Sequence, residues 1–400
     1  MITIKPFKAL RPAPGREEQV ACVPYDVINT SEARQLAEGR PDSFLHVIRP
    51  EIDLPKETEL YSNAVYEAGA SNLKNMQKNG VLILESSPQL YLYQQQMGTH
   101  TQTGLYACVS VKDYDEDRIK KHELTRPDKE DDRTRHILTQ RAHAEPVMLT
   151  CKADSTITRL TNKILSAREP LYSFTASDGV IHRVWQITDP QPFVDAFRSV
   201  DALYVADGHH RCKSASRVAE TLRKDDYGDD EFEFFPAVII PMDEMRILAY
   251  NRLVHKTPSD FMEKLNSAFE LAPDVHPVPD KPGRISLYSG GRWYGMDLPE
   301  DPAGEAVAQL DVSRLHKHIL LPLLDIEDQR TDPNLSFVGG IRGTGELERA
   351  VDTGKAELAI SMYPTSIDEL ISVADNHQLM PPKSTWFEPK LRSGLLVHTF

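Results

Sequence analysis

A chain of 400 residues, 40% hydrophobic and 26% charged, has room for two domains or one large one and an ordinary globular composition. Its net charge of -14 speaks against a general binder of nucleic acid or anionic membrane, because nothing would offset repulsion by phosphates. Cys22, Cys108, Cys151 and Cys212 stand far apart without a CxxC pair, which reads as free thiols in a reducing compartment and not as a zinc site or disulfide frame. The N-terminus lacks the apolar core of a signal peptide, and no apolar run approaches a membrane span, so the expected location is the cytoplasm.

In chain order, residues 2–4 form a short strand pattern, and Pro12, Pro14 and Gly15 a loop. Asn29 to Glu32 supplies several helix caps, and 44–48 is a strand candidate. A helical spacing through Leu60, Ala64, Val65, Ala68, Leu73 and Met76 ends at Asn79-Gly80. Strands follow over 81–84, 90–93 and 104–111, with a hairpin across 97–102; the gaps are too short for helical crossovers, so the sheet is antiparallel there. A charge-dense segment, 120–133, leads into a helix over 134–144 and a strand over 146–150. Next come a helix at 155–167, strands at 171–175 and 180–187, a helix at 189–200 and a strand at 202–206. An acidic loop, 224–233, precedes strands at 234–240 and 245–255. A helix at 259–268 and strands at 284–287 and 292–296 read as a smaller unit. Helices at 311–324, 346–353 and 367–376 flank a strand at 356–362. The fold class is therefore α+β: mixed, largely antiparallel sheets with flanking helices. The division expected is a main domain over 1–255, a small insert over 256–310 and a C-terminal segment over 311–400.

The chemistry gathers in short polar stretches. After the apolar run 203–206, Asp207-Gly208 is a turn, followed by His209, His210 and Arg211 and then a helical spacing over 212–222. Strand, polar turn and helix set a carboxylate, two imidazoles, a guanidinium and a helix N-terminus side by side, which suits an anion and above all a phosphate. The plain alternative is a solvated turn. His122, Glu123, Thr125, Lys129 and Arg133 place a base, an acid, a hydroxyl and two cations in one segment, which reads either as a clamp beside a phosphate or as a self-neutralising surface. Lys383, Ser384 and Thr385 follow two prolines and are sound phosphate donors, though no GxxxxGK[ST] loop is present. Tyr25 and Asp26 follow Pro24 and are extended or in a turn, Asp26 reading as a site carboxylate or a turn former. Arg252 lies near the end of the strand at 245–255.

Four of these stretches together resemble one prokaryotic family, Domain of Unknown Function 1015. They are Pro24-Tyr-Asp-Val-Ile28; His122-Glu123 with Thr125, Lys129 and Asp132-Arg133; Val205-Ala-Asp-Gly-His-His-Arg211; and Met380-Pro-Pro-Lys-Ser-Thr385 with Pro389-Lys390 and Gly394-Leu395. The resemblance runs from Pro6 to Val397. Cys212 stands where the family has an aromatic, and Asn251 where it commonly has histidine. The turn Asp207–Arg211 is also similar to the phosphate-binding box of the ParB/sulfiredoxin superfamily, whose members include free-serine kinases. With the family's association with serine biosynthesis, this implies phosphoryl transfer by a nucleotide-dependent kinase (ATP or ADP with Mg2+) acting on free serine or a similar small metabolite.

In that reading Gly208, Arg211 and the helix start hold phosphate, and His209 or His210 donates or shuttles a proton. Asp207 holds magnesium or orients a histidine, and Glu123, or Asp26 in its place, is the base. Lys129, Arg133, Lys383, Ser384 and Thr385 neutralise charge, His122 belongs to the catalytic set, and Tyr25, Asp26 and Arg252 meet the substrate. Two alternatives use the same groups: a phosphatase acting on phosphoserine or a related phosphometabolite, and a non-catalytic nucleotide-binding switch. A metal hydrolase on His122, His209 and His210 ranks last, because adjacent histidines are poorly spaced as ligands of one metal. The expected partner is a small molecule, with no nucleic acid, no membrane and a homodimer left open.

Overall fold

The computed structural model describes residues 1–400 except Asp226, Pro302 and Ala303; Asp226 belongs to the acidic loop expected at 224–233, and that part lies outside the described residues. Two compact units emerge. The first comprises Met1–Lys121, Thr125–Met245 and Pro389–Phe400; the second comprises His122–Leu124 and Arg246–Glu388.

The first unit is built on a nine-stranded mixed sheet. Its order is Ile119–Lys120, Leu203–Asp207, Val147–Cys151, Phe234–Pro241, His100–Ser110, Leu90–Met97, Ile181–Ile187 and Tyr172–Thr175, with Ile4–Lys5 also paired to His100–Ser110. Leu203–Asp207 runs parallel to Ile119–Lys120, and Phe234–Pro241 parallel to Val147–Cys151; the other pairings are antiparallel. The hairpin expected across 97–102 closes tightly, with Met97 opposite His100. Helix His209–Lys224 turns Cys212, Ala215, Val218, Ala219 and Leu222 toward the sheet, where they join Leu149, Leu203, Val205, Ala237 and Ile239. That three- and four-residue spacing makes one apolar stripe. Burial of Val218 and of Leu222 contributes about 1.5–3 kcal/mol each.

A four-stranded sheet completes this unit in the order Leu82–Leu84, Ala9–Pro12, Val397–Thr399, Ala142–His143. The C-terminal strand is therefore internal to that sheet. The stretch at 44–48 is helical, not extended: Leu45–Ile48 forms one turn that buries Leu45, Val47 and Ile48. A short apolar run has no periodicity to separate the two outcomes. The helix expected at 134–144 instead spans Pro127–Gln140 and draws in half the charged segment, because Pro127 pre-organises its first turn.

The second unit holds a six-stranded antiparallel sheet, ordered Ala272–Pro273, Arg292–Asp297, Arg284–Ser289, Leu358–Met362, Tyr250–Val254, Leu335–Gly339. One face packs Leu253, Tyr288, Trp293 and Ala359 against Leu347 and Ala350 of helix Thr344–Asp352. The strand expected at 245–255 breaks in two: Ile247–Leu248 pairs with Trp386–Phe387, and Tyr250–Val254 enters the sheet. The helix expected at 311–324 is interrupted by a π turn, His316–Leu320, before Leu321–Leu324. Pro322 has no amide for the carbonyl four residues back, which is a sufficient cause. Among the described residues no helix is long and apolar enough to cross a membrane.

Candidate functional site

The turn at Asp207 lies where strand Leu203–Asp207 meets helix His209–Lys224. Gly208 adopts φ +107°, a conformation that L side chains rarely adopt. A Cβ there would also lie 3.1 Å from Nε of Arg211, so the glycine lets the guanidinium fold back over the turn. Gly208, the N-cap of this sixteen-residue helix, brings no side-chain cap of its own. The helix N-terminus presents backbone donors with the positive end of the helix dipole.

Arg211, only 8% exposed, is the centre of the charge arrangement. Its Nη1 donates to the carbonyl of Pro146, while Nη2 lies 3.5 Å from Asp207 Oδ1 and 3.9 Å from Asp26 Oδ2. Burial alone would lower the guanidinium pKa, but Asp26, Asp207 and Glu145 hold it above its ordinary value. Lys390 Nζ donates to Asp207 Oδ2 at 2.7 Å. Burial pushes the Asp207 pKa up, yet Lys390 and Arg211 outweigh it and hold the carboxyl well below its usual range. Both Asp207 oxygens thus face cations. That suits an ion-paired anchor and does not fit a magnesium ligand.

A second layer lies behind the first. Tyr25 begins the short turn Tyr25–Val27 after Pro24, and its amide donates to Glu145 Oε1 at 3.1 Å. Ser393 Oγ donates to the same oxygen at 3.0 Å. Arg133 projects from helix Pro127–Gln140, stacks 4.0 Å over the Tyr25 ring, donates through Nη2 to Asp132 at 2.7 Å and lies 3.7 Å from Glu145. Burial raises the Glu145 pKa, although Arg211 and Arg133 pull against it. A cavity of about 30 Å³, lined by Arg133, His136, His143, Glu145 and Arg211 among others, adjoins these groups. It has room for water, which needs roughly 10–15 Å³.

The first unit thus brings together Tyr25, Asp26, Arg133, Asp207, Gly208, His209, His210 and Arg211. His210 Nε2 accepts the amide of Arg126 at 3.0 Å, which ties the preceding loop to the helix start and places its ring proton on Nδ1. His209 is buried. Lys129 belongs to the same unit and pairs with the Tyr61 hydroxyl at 3.0 Å. Cys212, next to Arg211, faces the core; burial pushes its thiol up to about 12, which makes it packing and not a nucleophile.

Thr125 also belongs to the first unit, its hydroxyl donating to Glu130, and the other sequence-derived residues fall in the second unit. There the carbonyl of buried His122 accepts the Met380 amide at 2.7 Å, and Glu123 lines a cavity of about 280 Å³ with Arg330, Leu379 and Pro381–Pro382. Lys383 sits in left-handed backbone, φ 56°, with Nζ 5.4 Å over the Tyr250 ring. The Ser384 hydroxyl is committed to its own turn, donating to the Pro381 carbonyl at 2.6 Å, and Thr385 is half-buried. Arg252 is fully buried in strand Tyr250–Val254.

Glu145 escapes a reading by motif. Its one signal is a lone charge between Ala144 and Pro146 at the mouth of a buried strand. Lys390 and Asp132 stood out only as members of family motifs, and their ion pairs could not be read from spacing.

Solved structures similar to this chain include a free serine kinase in complex with AMP, at 12% identity and a TM-score of 0.36, covering 72% of this chain and 92% of the other. A conserved hypothetical protein from Pyrococcus furiosus matches at 13% identity and a TM-score of 0.36, covering 72% and 95%. SbnI with a C-terminal truncation, from Staphylococcus aureus, matches at 15% and 0.39, covering 73% and 87%. No curated protein matches the chain. The model of a family of proteins of unknown function, DUF1015, matches residues 4–313, well over half the sequence, and the chain belongs to that family.

Proposed function

We propose that the turn Asp207–Arg211 binds the phosphates of a nucleotide, and that the protein transfers a phosphoryl group to a small hydroxylated metabolite, with free serine the first substrate to try. One observation carries this reading: a left-handed glycine opens a sixteen-residue helix, and Arg211 and Lys390 both stand on Asp207 just before it. Backbone donors and the helix dipole favour an anion there. Phosphoryl transfer asks mainly for positioning and charge neutralisation, which fixed cations supply.

Asp207 holds Lys390 and Arg211 in place, and Arg133 adds positive charge behind them. Asp26 is the base in this reading, because its side chain is 38% exposed and yet lies beside Arg211. Its carboxylate takes the proton of the acceptor hydroxyl. The hydroxyl oxygen then bonds to the terminal phosphorus as the bond to the leaving oxygen breaks, and the leaving group departs on the nucleotide.

The test compares the wild-type chain with Asp26→Asn, using calorimetry for ATP and ADP and a phosphoserine assay. Asp26→Asn should bind nucleotide within about threefold of wild type and lose transfer by roughly 10²–10⁴-fold. Undiminished transfer would remove Asp26 from the reaction. Binding of phosphoserine without any response to nucleotide would move the reading to a phosphatase.

A further inference from the structure

Arg252 is the third residue of strand Tyr250–Val254, an interior strand of the six-stranded sheet, and is 0% exposed. A buried guanidinium is ordinarily paired with a carboxylate and fully hydrogen-bonded. Here Nη1 donates to the carbonyl of Tyr250, whereas Nε and Nη2 have no hydrogen-bond partner among the described residues. Among the described residues no carboxylate forms an ion pair with it, and the group in electrostatic contact is Tyr250. Nε–H and Nη2–H point the same way from one edge of the planar group. Their spacing matches the two oxygens of a carboxylate.

The surroundings add chemistry to this open edge. The guanidinium stacks 5.2 Å from the ring of Phe337, its direct partner on the next strand. The Tyr250 ring meets Phe337 at 6.4 Å and Trp386 at 5.2 Å, both edge-on. These three rings are half-buried, and exposed Lys383 stands over Tyr250. An aromatic wall thus runs from a surface cation to a buried one. Burial lowers the Arg252 pKa to about 10, so the group stays charged at neutral pH.

We infer that Arg252 binds the carboxylate of a small organic acid through Nε and Nη2, with Tyr250, Phe337 and Trp386 as apolar walls and Lys383 at the outer rim. A single buried positive charge is neutralised by a monoanion, whereas a phosphate dianion would leave excess charge without solvent. The site uses no residue of the Asp207 turn and stands or falls independently of the phosphate reading.

The test is calorimetric titration of the full chain with acetate, L-lactate and benzoate at constant ionic strength, and with inorganic phosphate in parallel. At least one monocarboxylate should bind. Arg252→Met should weaken it at least about thirty-fold, the size of effect seen when one partner of a buried charge pair is removed. Lys383→Ala should weaken it less, and the phosphate response of Arg252→Met should match wild type. Failure of all three acids to bind, or equal affinity in Arg252→Met, would overturn the inference. If Arg252→Met does not fold, ¹⁵N-arginine spectra of the wild type decide. A shielded Nε–H resonance that moves with the acid supports the site, and none moving refutes it.

Discussion

At the scale of single residues, two buried arginines make opposite claims. Arg211 stands among Asp26, Asp207 and Glu145, so Arg211→Ala would strand three carboxylates with one fewer cation. Breaking a buried pair in this way costs about 3–5 kcal/mol, and urea denaturation should show a loss of that order. Arg252 has two buried donors, Nε and Nη2, without a hydrogen-bond partner and no carboxylate ion pair among the described residues. Arg252→Met should therefore leave the urea midpoint unchanged or raise it. The cysteines follow the same logic of burial. All four are buried, and burial pushes the thiols of Cys151 and Cys212 up to about 12. Ellman's reagent should find no fast-reacting thiol in the native protein and four after unfolding; a rapid native reaction at Cys212 would contradict its place in the core.

At the scale of elements, the strand–turn–helix was readable because each part carries its own signal. The apolar run Leu203–Ala206 ends at Asp-Gly, and small and apolar residues then recur at helical spacing. The exact helix start was not readable, since His209, His210 and Arg211 are polar and resemble a loop; Gly208 sets the boundary through its backbone conformation. Asp132 and Arg133 illustrate the opposite difficulty. Dense charge suggests solvent, yet both are buried on helix Pro127–Gln140, because they neutralise each other and Arg133 reaches Tyr25 and Glu145. Pairing across 120 residues, as between Glu145 and Tyr25, leaves no trace in local pattern. Gly394 is a related case: at φ +86° a Cβ would fall 2.7 Å from Phe44, so Gly394→Ala should destabilise the C-terminal segment, seen as a lower melting temperature.

At the scale of the whole molecule, the last twelve residues belong to the first unit, although the 143 residues before them belong to the second. Strand Val397–Thr399 lies between Ala9–Pro12 and Ala142–His143, and Lys390 neutralises Asp207. A chain ending at Glu388 should lose the cooperative unfolding of the first unit, which circular dichroism would show. Acid should act on the same unit. His182 is wedged between Tyr93 and Phe174, and burial lowers its pKa to about 3. The unfolded chain takes up that proton near pH 6.5 and the folded chain does not, so this contribution is full above pH 6.5 and lost as the pH falls toward 3. Between pH 6.5 and 5 the loss is about 2 kcal/mol for this histidine alone. Burial also holds His136 and His143 well below their ordinary values, which steepens the decline. Replacement His182→Phe should flatten the stability profile over that range.

The central claim is that a nucleotide phosphate sits at the Asp207–Arg211 turn. Calorimetric titration of ADP into the full chain and into Arg211→Lys, a change that keeps the charge but loses the planar fork, tests it most directly. Saturable binding to the wild type, weakened about tenfold or more in a folded Arg211→Lys, is the expected result. No binding to the wild type, or equal binding to both proteins, would contradict it.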